Sequence, residues 1–406
     1  MDITSTTTEP LPMAGFPPPP EARISPQNWA EPRFLRWSLM NRSAQVPSVT
    51  IWRGDGPVSA LPDEAQDLDL LPVPGPNGQQ DALRAVIEAL DMDAFIVLHR
   101  GRIVYERYLH AMQPHTQHGT ASVSKAFMAV LAAMLQEQGV LDLTREAQHY
   151  VPGMRGTSMG DATLQQLLDM QAGIVRPVIP GRTDLIGQQD GGVYEILGLL
   201  PLQPDVPADF YDFVLRKPRS GPHGVRFYYD NGQVEALAWA VRRATGRSIA
   251  DLQSELIFAP MGMQRDGSMT VDRLGTEFSS GGLSITLRDM ARFGEMLRNA
   301  GWWNGRQIVP EAFLAETWRG VDRAMFADTP LHAVMPAGSY HNSFHVLHDD
   351  MEGLVAVGRH GQRIYVSPRA EVVIAQFSSA AGPPPHPFER PTVLLHHHLA
   401  THFMAG

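Results

Sequence analysis

Ser122 and Lys125 stand three residues apart in the stretch G-T-A-S-V-S-K-A-F, Gly119 to Phe127. On a helix that spacing puts both side chains on one face, above the first turn. A serine hydroxyl is a weak nucleophile until a neighbouring base takes its proton. Lysine can be that base only while neutral, which burial and a nearby cation promote. The same residues also fit a plainer reading, the polar start of a buried helix with Phe127 and Met128 as its first core residues. A second group is F-Y-Y-D-N, Phe227 to Asn231. Tyr229 offers a phenol able to relay a proton, and Asn231 an amide able to accept from a lysine. Here too a structural reading stands beside the chemical one, with Phe227 and Tyr228 in the core and Asp230 or Asn231 capping the next helix. The third group is G-R-H-G-Q, Gly358 to Gln362. Its glycines let a substrate approach the backbone, and an amide there, paired with that of Ser122, could hold the charge developing on a carbonyl oxygen. His360 reads equally as a strand-end histidine.

The elements that must position these groups are largely readable. Ala94–Leu98 and Ile103–Leu109 are rich in Val, Ile, Phe and Tyr and flank Arg100-Gly101, the pattern of a β-hairpin. Leu83–Leu90 reads as a short helix. Ser122–Gln138 is a run of good helix formers stopped by Gly139, and its middle is apolar nearly all round, as a buried helix should be. Helical pieces at Ala162–Met170 and Tyr194–Leu200 lie among Pro/Gly-rich loops. Asn231–Thr245, Ile249–Phe258 and Thr286–Asn299 read as further helices. Strands return at Leu354–Val357, Ile364–Val366 and Val372–Phe377, with a turn at Pro368-Arg369, before a last helix at Glu389–Phe403. Strands early and late, with helices between, imply one sheet built from both ends of the sequence. Trp29, Phe34, Trp37 and Trp52 should pack the segment from Asn28 onto the body, and Pro57–Gln79 reads as a connector. Gly281-Gly282 lacks the spacing of a dinucleotide fingerprint and reads as a tight turn or close packing.

The chain of 406 residues is long enough for a large core. With 33 basic against 43 acidic residues its formal charge is −10, which argues against a general nucleic-acid surface. It contains no cysteine, so disulfides, thiol nucleophiles and thiolate metal sites are excluded. No apolar run approaches a bilayer span and Met1–Pro20 lacks the pattern of a signal peptide, so a soluble, cytoplasmic protein is expected.

The ordered set Ser122-Val123-Ser124-Lys125, Tyr229-Asp230-Asn231 and His360-Gly361 resembles the penicillin-recognising serine hydrolase superfamily. From about Trp29 onward, including Q-L-L-D-M-Q at Gln166–Gln171 and the residues Gly281–Ser284, it is similar to the 6-aminohexanoate-dimer hydrolases and related serine carboxylesterases. The resemblance implies a β-lactamase-like α/β fold, a mostly antiparallel sheet flanked by helices. In it residues 1–26 would be a flexible arm, 27–142 and 236–406 the catalytic domain, and 143–235 an inserted, mainly helical region. It implies that Ser122 forms an acyl-enzyme, that Lys125 activates it and that Tyr229 passes a proton to the leaving group. Asn231 would orient Lys125 and substrate, the amides of Ser122 and Arg359 would form the oxyanion hole, and His360 and Gly361 would line that edge. Gly338–His345 resembles a loop closing over the site, which would bring Tyr340 and Phe344 to an acyl chain. Arg176 would either attract a substrate carboxylate or be a solvent-facing loop residue.

One departure bears on substrate. Ala172–Pro180, after the D-M-Q segment, contains no tyrosine, whereas the strong amidases of the family carry one there. A missing donor should harm amide more than ester cleavage, because an amine leaves less readily. The expected partner is a small ester or amide, with no nucleic acid, no membrane, no cofactor and no metal. The 16 histidines include His396, His397, His398 and His402, of which His398 and His402 have zinc-binding spacing but lack the E-x-x-H arrangement. His341, His345 and His348 are equally without it. A β-lactamase or D-amino-peptide hydrolase, and a non-catalytic ligand-binding scaffold, are the alternatives, and a homodimer is possible through the N-terminal aromatics.

Overall fold

The computed structural model describes residues 10–177, 192–382 and 387–404. Two antiparallel sheets frame the molecule. Their strands along the chain are β1 (Ser48–Ile51), β2 (Met92–His99), β3 (Arg102–Tyr108), β4 (His118–Gly119), β5 (Gly267–Thr270), β6 (Leu283–Ile285), β7 (Ser339–His341), β8 (Phe344–Val346), β9 (Leu354–Gly358), β10 (Gln362–Ser367) and β11 (Val372–Ser378). The larger sheet runs β7-β8-β9-β10-β11-β2-β3 and the smaller β1-β5-β6-β4. Early and late sequence meet in the larger sheet, where β11 pairs with β2 from Val372 opposite His99 to Phe377 opposite Ala94.

Both faces of the larger sheet are covered, which is why its strands read as nearly continuous apolar runs. Helix α1 (Pro32–Met40) packs near β4, and α2 (Ser124–Glu137) packs on α3 (Asn231–Thr245) and on β9. Helix α4 (Leu287–Arg298) lies on the sheet face that carries Ile364, Val366 and Val373. Helix α5 (Glu389–Met404) covers the other face, where His396 donates Nε2–H to Gln376 Oε1 over 2.8 Å and packs on Tyr365 and Phe95. His397 meets Asp350 instead, at 2.7 Å. The short helices of the 143–235 region, among them Leu164–Leu168 and Phe210–Leu215, pack on α3. No described helix is long and apolar enough to cross a membrane.

The segment Gly338–His345 differs from the loop that its sequence suggests. It forms the edge hairpin β7-β8, with His341 opposite Phe344 and the two residues Asn342 and Ser343 at positive φ between them. Two left-handed residues make the tight turn whose twist suits a hairpin. Asp169, in the Q-L-L-D-M-Q motif, pins it by accepting from the Asn342 amide and bonding His341 Nδ1, each at 2.8 Å. Tyr340 and Phe344 are buried within it.

Candidate active site

Ser122 lies in a single 3₁₀ turn, Ala121–Val123, that runs directly into α2. The turn is stapled to β6 from both sides. Thr120 gives its amide and its hydroxyl to the Leu283 carbonyl at 2.8 and 2.9 Å, while Ser124 Oγ takes the Leu283 amide at 3.2 Å. Ser124 Oγ also donates to the Ala121 carbonyl at 2.7 Å, and Ala121 is held at φ 47°. Left-handed backbone at a residue with a side chain persists only where its surroundings enforce it. Here the staples do so, and they fix the orientation of the Ser122 hydroxyl.

Lys125 follows on the first turn of α2 and is buried. Its Nζ stands 3.0 Å from Ser122 Oγ, 2.8 Å from Asn231 Oδ1 and 2.7 Å from the Ser280 carbonyl. The last two partners only accept hydrogen bonds. A neutral amine therefore keeps its two hydrogens on them and turns its lone pair toward Ser122 Oγ. The i,i+3 spacing thus becomes a directed base, with Asn231 on the first turn of α3 as one of the groups that aims it. Nζ also lies 5.0 Å from the centroid of the Tyr229 ring, whose own neighbour is Tyr340, edge-on at 6.0 Å.

Capping and chemistry divide neighbouring residues of the second motif between them. Asp230 is the N-cap of α3, accepting from the Gly232 amide at 2.8 Å. Its carboxylate also binds Lys217 Nζ at 2.8 Å and Arg176 Nε at 3.2 Å. Burial alone would raise the Asp230 pKa, but Lys217, Arg176 and the cap amide overturn that and hold it below the usual aspartate value. Arg176 also donates from Nη2 to the Tyr229 carbonyl at 2.5 Å. The cations therefore clamp the backbone on which Tyr229 and Asn231 sit.

The end of β9 comes in close beside the nucleophile's turn. A Cβ on Gly358 would lie 2.4 Å from the Thr120 carbonyl, so any side chain there would push the strand edge away from Ser122. The next turn, Arg359–Gly361, touches the Ser122 turn. Within it His360 sits at φ 68° and donates Nδ1–H to the Ala380 carbonyl at 2.9 Å. Arg359 directs Nη1 to Tyr194 Oη at 2.9 Å.

Ser122, Asn231, Arg359 and His360 line one cleft of about 670 Å³, open to solvent. Lys125 is buried beneath that surface, and Tyr229, Gly361, Tyr340, Phe344 and Arg176 are outside the lining. Gly281 and Gly282 form part of its wall, and a Cβ on Gly282 would come within 2.5 Å of Thr270 Oγ1, in keeping with the close-packing reading of that pair. Val178–Pro180, the end of the tyrosine-free stretch, lie outside the described residues. Four participants carry little or no sequence signal. The Ser280 carbonyl is a backbone group, Thr120 and Glu235 lie outside any motif, and Arg42 comes from the N-terminal segment.

Glu235 sits one turn along α3 and accepts the Ser280 amide at 2.8 Å. It thereby tethers, through its amide, the residue whose carbonyl aims Lys125. Burial pushes its carboxyl up to about 7, against the opposing pull of Arg242 and Lys125. The folded protein therefore keeps a proton between pH 4.5 and about 7 that the unfolded chain has released. Stability contributed by this group consequently falls as pH rises through that window. Glu235→Gln should remove the dependence, gaining at most about 3 kcal/mol on wild type between pH 5 and pH 8. Urea unfolding at the two pH values measures this, and an identical wild-type-to-variant difference at both would refute it.

A mostly antiparallel sheet, a cleft-lining serine hydrogen-bonded to a buried lysine on the helix that follows it, and a tyrosine-asparagine motif beside them define a serine hydrolase of the penicillin-recognising type. The comparisons agree: the beta-lactamase family profile matches residues 83–398, and the chain belongs to that family. It is 28% identical over 389 residues to the 6-aminohexanoate-dimer hydrolase of Paenarthrobacter ureafaciens, covering 94% of each chain. Among solved structures, a provisionally named 6-aminohexanoate-dimer hydrolase from Bacillus anthracis superposes with a TM-score of 0.88 at 32% identity, over 96% of this chain and 99% of that one. A class C beta-lactamase from Rhodobacter sphaeroides shares the fold, with a TM-score of 0.54 at 18% identity over 78% of this chain and 97% of that one.

Proposed function

We propose that the protein is a carboxylesterase that works through an acyl-enzyme on Ser122 and cleaves small linear amides more slowly. The observation that carries this reading is the coordination of Lys125 Nζ, which leaves one direction, toward Ser122 Oγ, for a lone pair. Lys125 takes the hydroxyl proton as Oγ attacks the ester carbonyl. The amides of Ser122 and Arg359 receive the oxyanion, and Tyr229 hands a proton to the departing alkoxide. Water then enters on the same face, gives its proton to the Lys125/Tyr229 network and releases the acid.

Preference for esters rests on the absence of tyrosine from Ala172–Pro180. An alkoxide or phenolate leaves with less protonation than an amine does, and one positioned proton donor is typically worth about 10²–10⁴-fold. Turnover of a short p-nitrophenyl ester is therefore expected to exceed that of 6-aminohexanoate dimer by at least about a hundredfold in kcat/KM. Comparable rates on the dimer would overturn the ester preference, and efficient nitrocefin hydrolysis would move the assignment to a β-lactamase. Failure of a fluorophosphonate probe to label Ser122 would favour the ligand-binding scaffold.

A further inference from the structure

Two acceptors guide Lys125 Nζ, and they come from different kinds of structure. Asn231 Oδ1, at 2.8 Å, sits on the first turn of α3 and moves only with that helix. The Ser280 carbonyl, at 2.7 Å, belongs to a loop, and a loop carbonyl keeps its direction only if its own residue is fixed. The neighbours of Ser280 do little to fix it. Gly281 and Gly282 follow, and each is confined to glycine: a Cβ on Gly281 would lie 2.7 Å from the Phe278 ring, and one on Gly282 would lie 2.5 Å from Thr270 Oγ1. No side chain therefore anchors the chain on that side, where the backbone has the most freedom to lose. The turn's own bonds run from the Gly281 and Gly282 amides back to the Phe278 carbonyl, at 3.3 and 2.7 Å, and bypass Ser280.

Glu235 supplies what the turn lacks. Its Oε1 accepts the Ser280 amide at 2.8 Å, and it stands four residues beyond Asn231, on the same face of α3. Glu235 and Ser280 are both buried, so an amide released from this carboxyl would lose its acceptor with nothing in return. Hydrogen bonds of 2.8, 2.7 and 3.0 Å then run from Glu235 to Ser280, from Ser280 to Lys125 and from Lys125 to Ser122. The series starts on a rigid helix and ends on the nucleophile.

We propose that Glu235 is a positioning residue for acylation: by holding the Ser280 amide it keeps the Ser280 carbonyl where it turns the Lys125 lone pair toward Ser122. Helix α3 thus aims the base twice, through Asn231 directly and through Glu235 at one remove. The assignment rests on Lys125 being the base of the acyl-transfer reading, and it adds to that reading a residue that lies outside the lining of the cleft.

Three replacements in the full-length protein separate aim from bulk. Glu235→Gln keeps the shape and an acceptor oxygen, and because burial keeps a proton on the carboxyl up to about pH 7, it is a close stand-in for the neutral acid. Glu235→Leu keeps most of the volume and removes the acceptor, while Glu235→Ala removes it and leaves room for a water. With a p-nitrophenyl ester, Glu235→Gln should stay within about threefold of wild type in kcat and Glu235→Leu should fall about tenfold to a hundredfold, with Glu235→Ala between them. KM should stay within about threefold throughout, since no group that meets the substrate is replaced. Crystal structures supply a reading independent of turnover. Lys125 Nζ should lie beyond about 3.5 Å from Ser122 Oγ in Glu235→Leu and within hydrogen-bond range in Glu235→Gln. A glutamate that merely filled space would leave kcat and this distance alike in every variant that folds, and the whole effect would fall on stability. If Glu235→Leu does not fold, Glu235→Ala against Glu235→Gln decides by the same two readings. Unchanged kcat and an unchanged Nζ-to-Oγ distance without the acceptor overturn the proposal, as do equal losses with and without it. A wild type that turns over no ester would instead strike the acyl-enzyme reading, and the crystal structures would still decide what holds Lys125.

Discussion

Ser122→Ala is expected to lower kcat/KM for a p-nitrophenyl ester by at least about ten-thousandfold, while folding as the wild type does. The hydroxyl is small and its turn is held by Thr120 and Ser124, so its removal leaves the staples to Leu283 in place. Lys125→Ala should cost activity to a similar degree, and the double variant should be scarcely worse than either single one. Groups that act as one unit lose their function together, so their effects do not add. Lys125→Ala differs in stability, because it strips a donor from both Asn231 Oδ1 and the Ser280 carbonyl. Steady-state kinetics with mass spectrometry of the acylated protein separates these outcomes. Retention of more than about one per cent of wild-type activity in Ser122→Ala would remove the serine from the mechanism.

The second large effect concerns stability. Asp230→Asn is expected to destabilise the fold by about 3–5 kcal/mol, the range seen when one member of a buried ion pair is removed. Asparagine remains a competent N-cap, so the loss falls on the ion pairs to Lys217, whose side chain is 1% exposed, and to Arg176. Because the Asp230 pKa is depressed, its contribution is complete above the ordinary value of 3.8 and is lost as pH falls through the lower folded one. Activity should fall as well, since Tyr229 and Asn231 flank the residue. Guanidinium unfolding at neutral pH gives the number, and Asp230→Asn combined with Lys217→Met should recover much of it. A single-variant loss below about 1 kcal/mol would show that the pair adds nothing beyond the cap.

Both effects hang on residues whose types were visible in the sequence, yet only part of their setting was. The hairpin around Arg100-Gly101, the strands Val372–Ser378 and Gln362–Ser367 and the helix Leu287–Arg298 were legible because covered sheet faces and amphipathic helices impose simple periodicities. The Ser-Lys, Tyr-Asp-Asn and Gly-Arg-His-Gly-Gln groups were legible because their side chains have few alternative uses in those combinations. Asn231 was legible as a partner of Lys125, but the second group that aims the lysine was not. A carbonyl at Ser280 has no residue type to betray it, and Glu235, which tethers the Ser280 amide, looks like any helical glutamate. The smaller sheet escaped because its strands are two to four residues long and come from widely separated places. The β7-β8 hairpin escaped because its turn is Asn342-Ser343, without the glycine that usually marks such a turn. Arg42 lay in a segment whose aromatics explained it as packing, and only the structure places it in the wall of the cleft.

The pairing of β2 with β11 has a consequence for how the molecule is made. The hairpin β2-β3 emerges from the ribosome early, with the hydrogen-bonding edge of β2 bare and flanked by Phe95, Ile96 and Val97. That edge finds its partner only when the chain has been synthesised past Ser378, since β11 is what closes it. Contacts so far apart in sequence form slowly, and exposed strand edges recruit other chains in the meantime. Nascent chains halted before Val372 therefore carry an open, apolar strand edge and should be clients of holdase chaperones, whereas chains halted beyond it have a sheet closed at its centre.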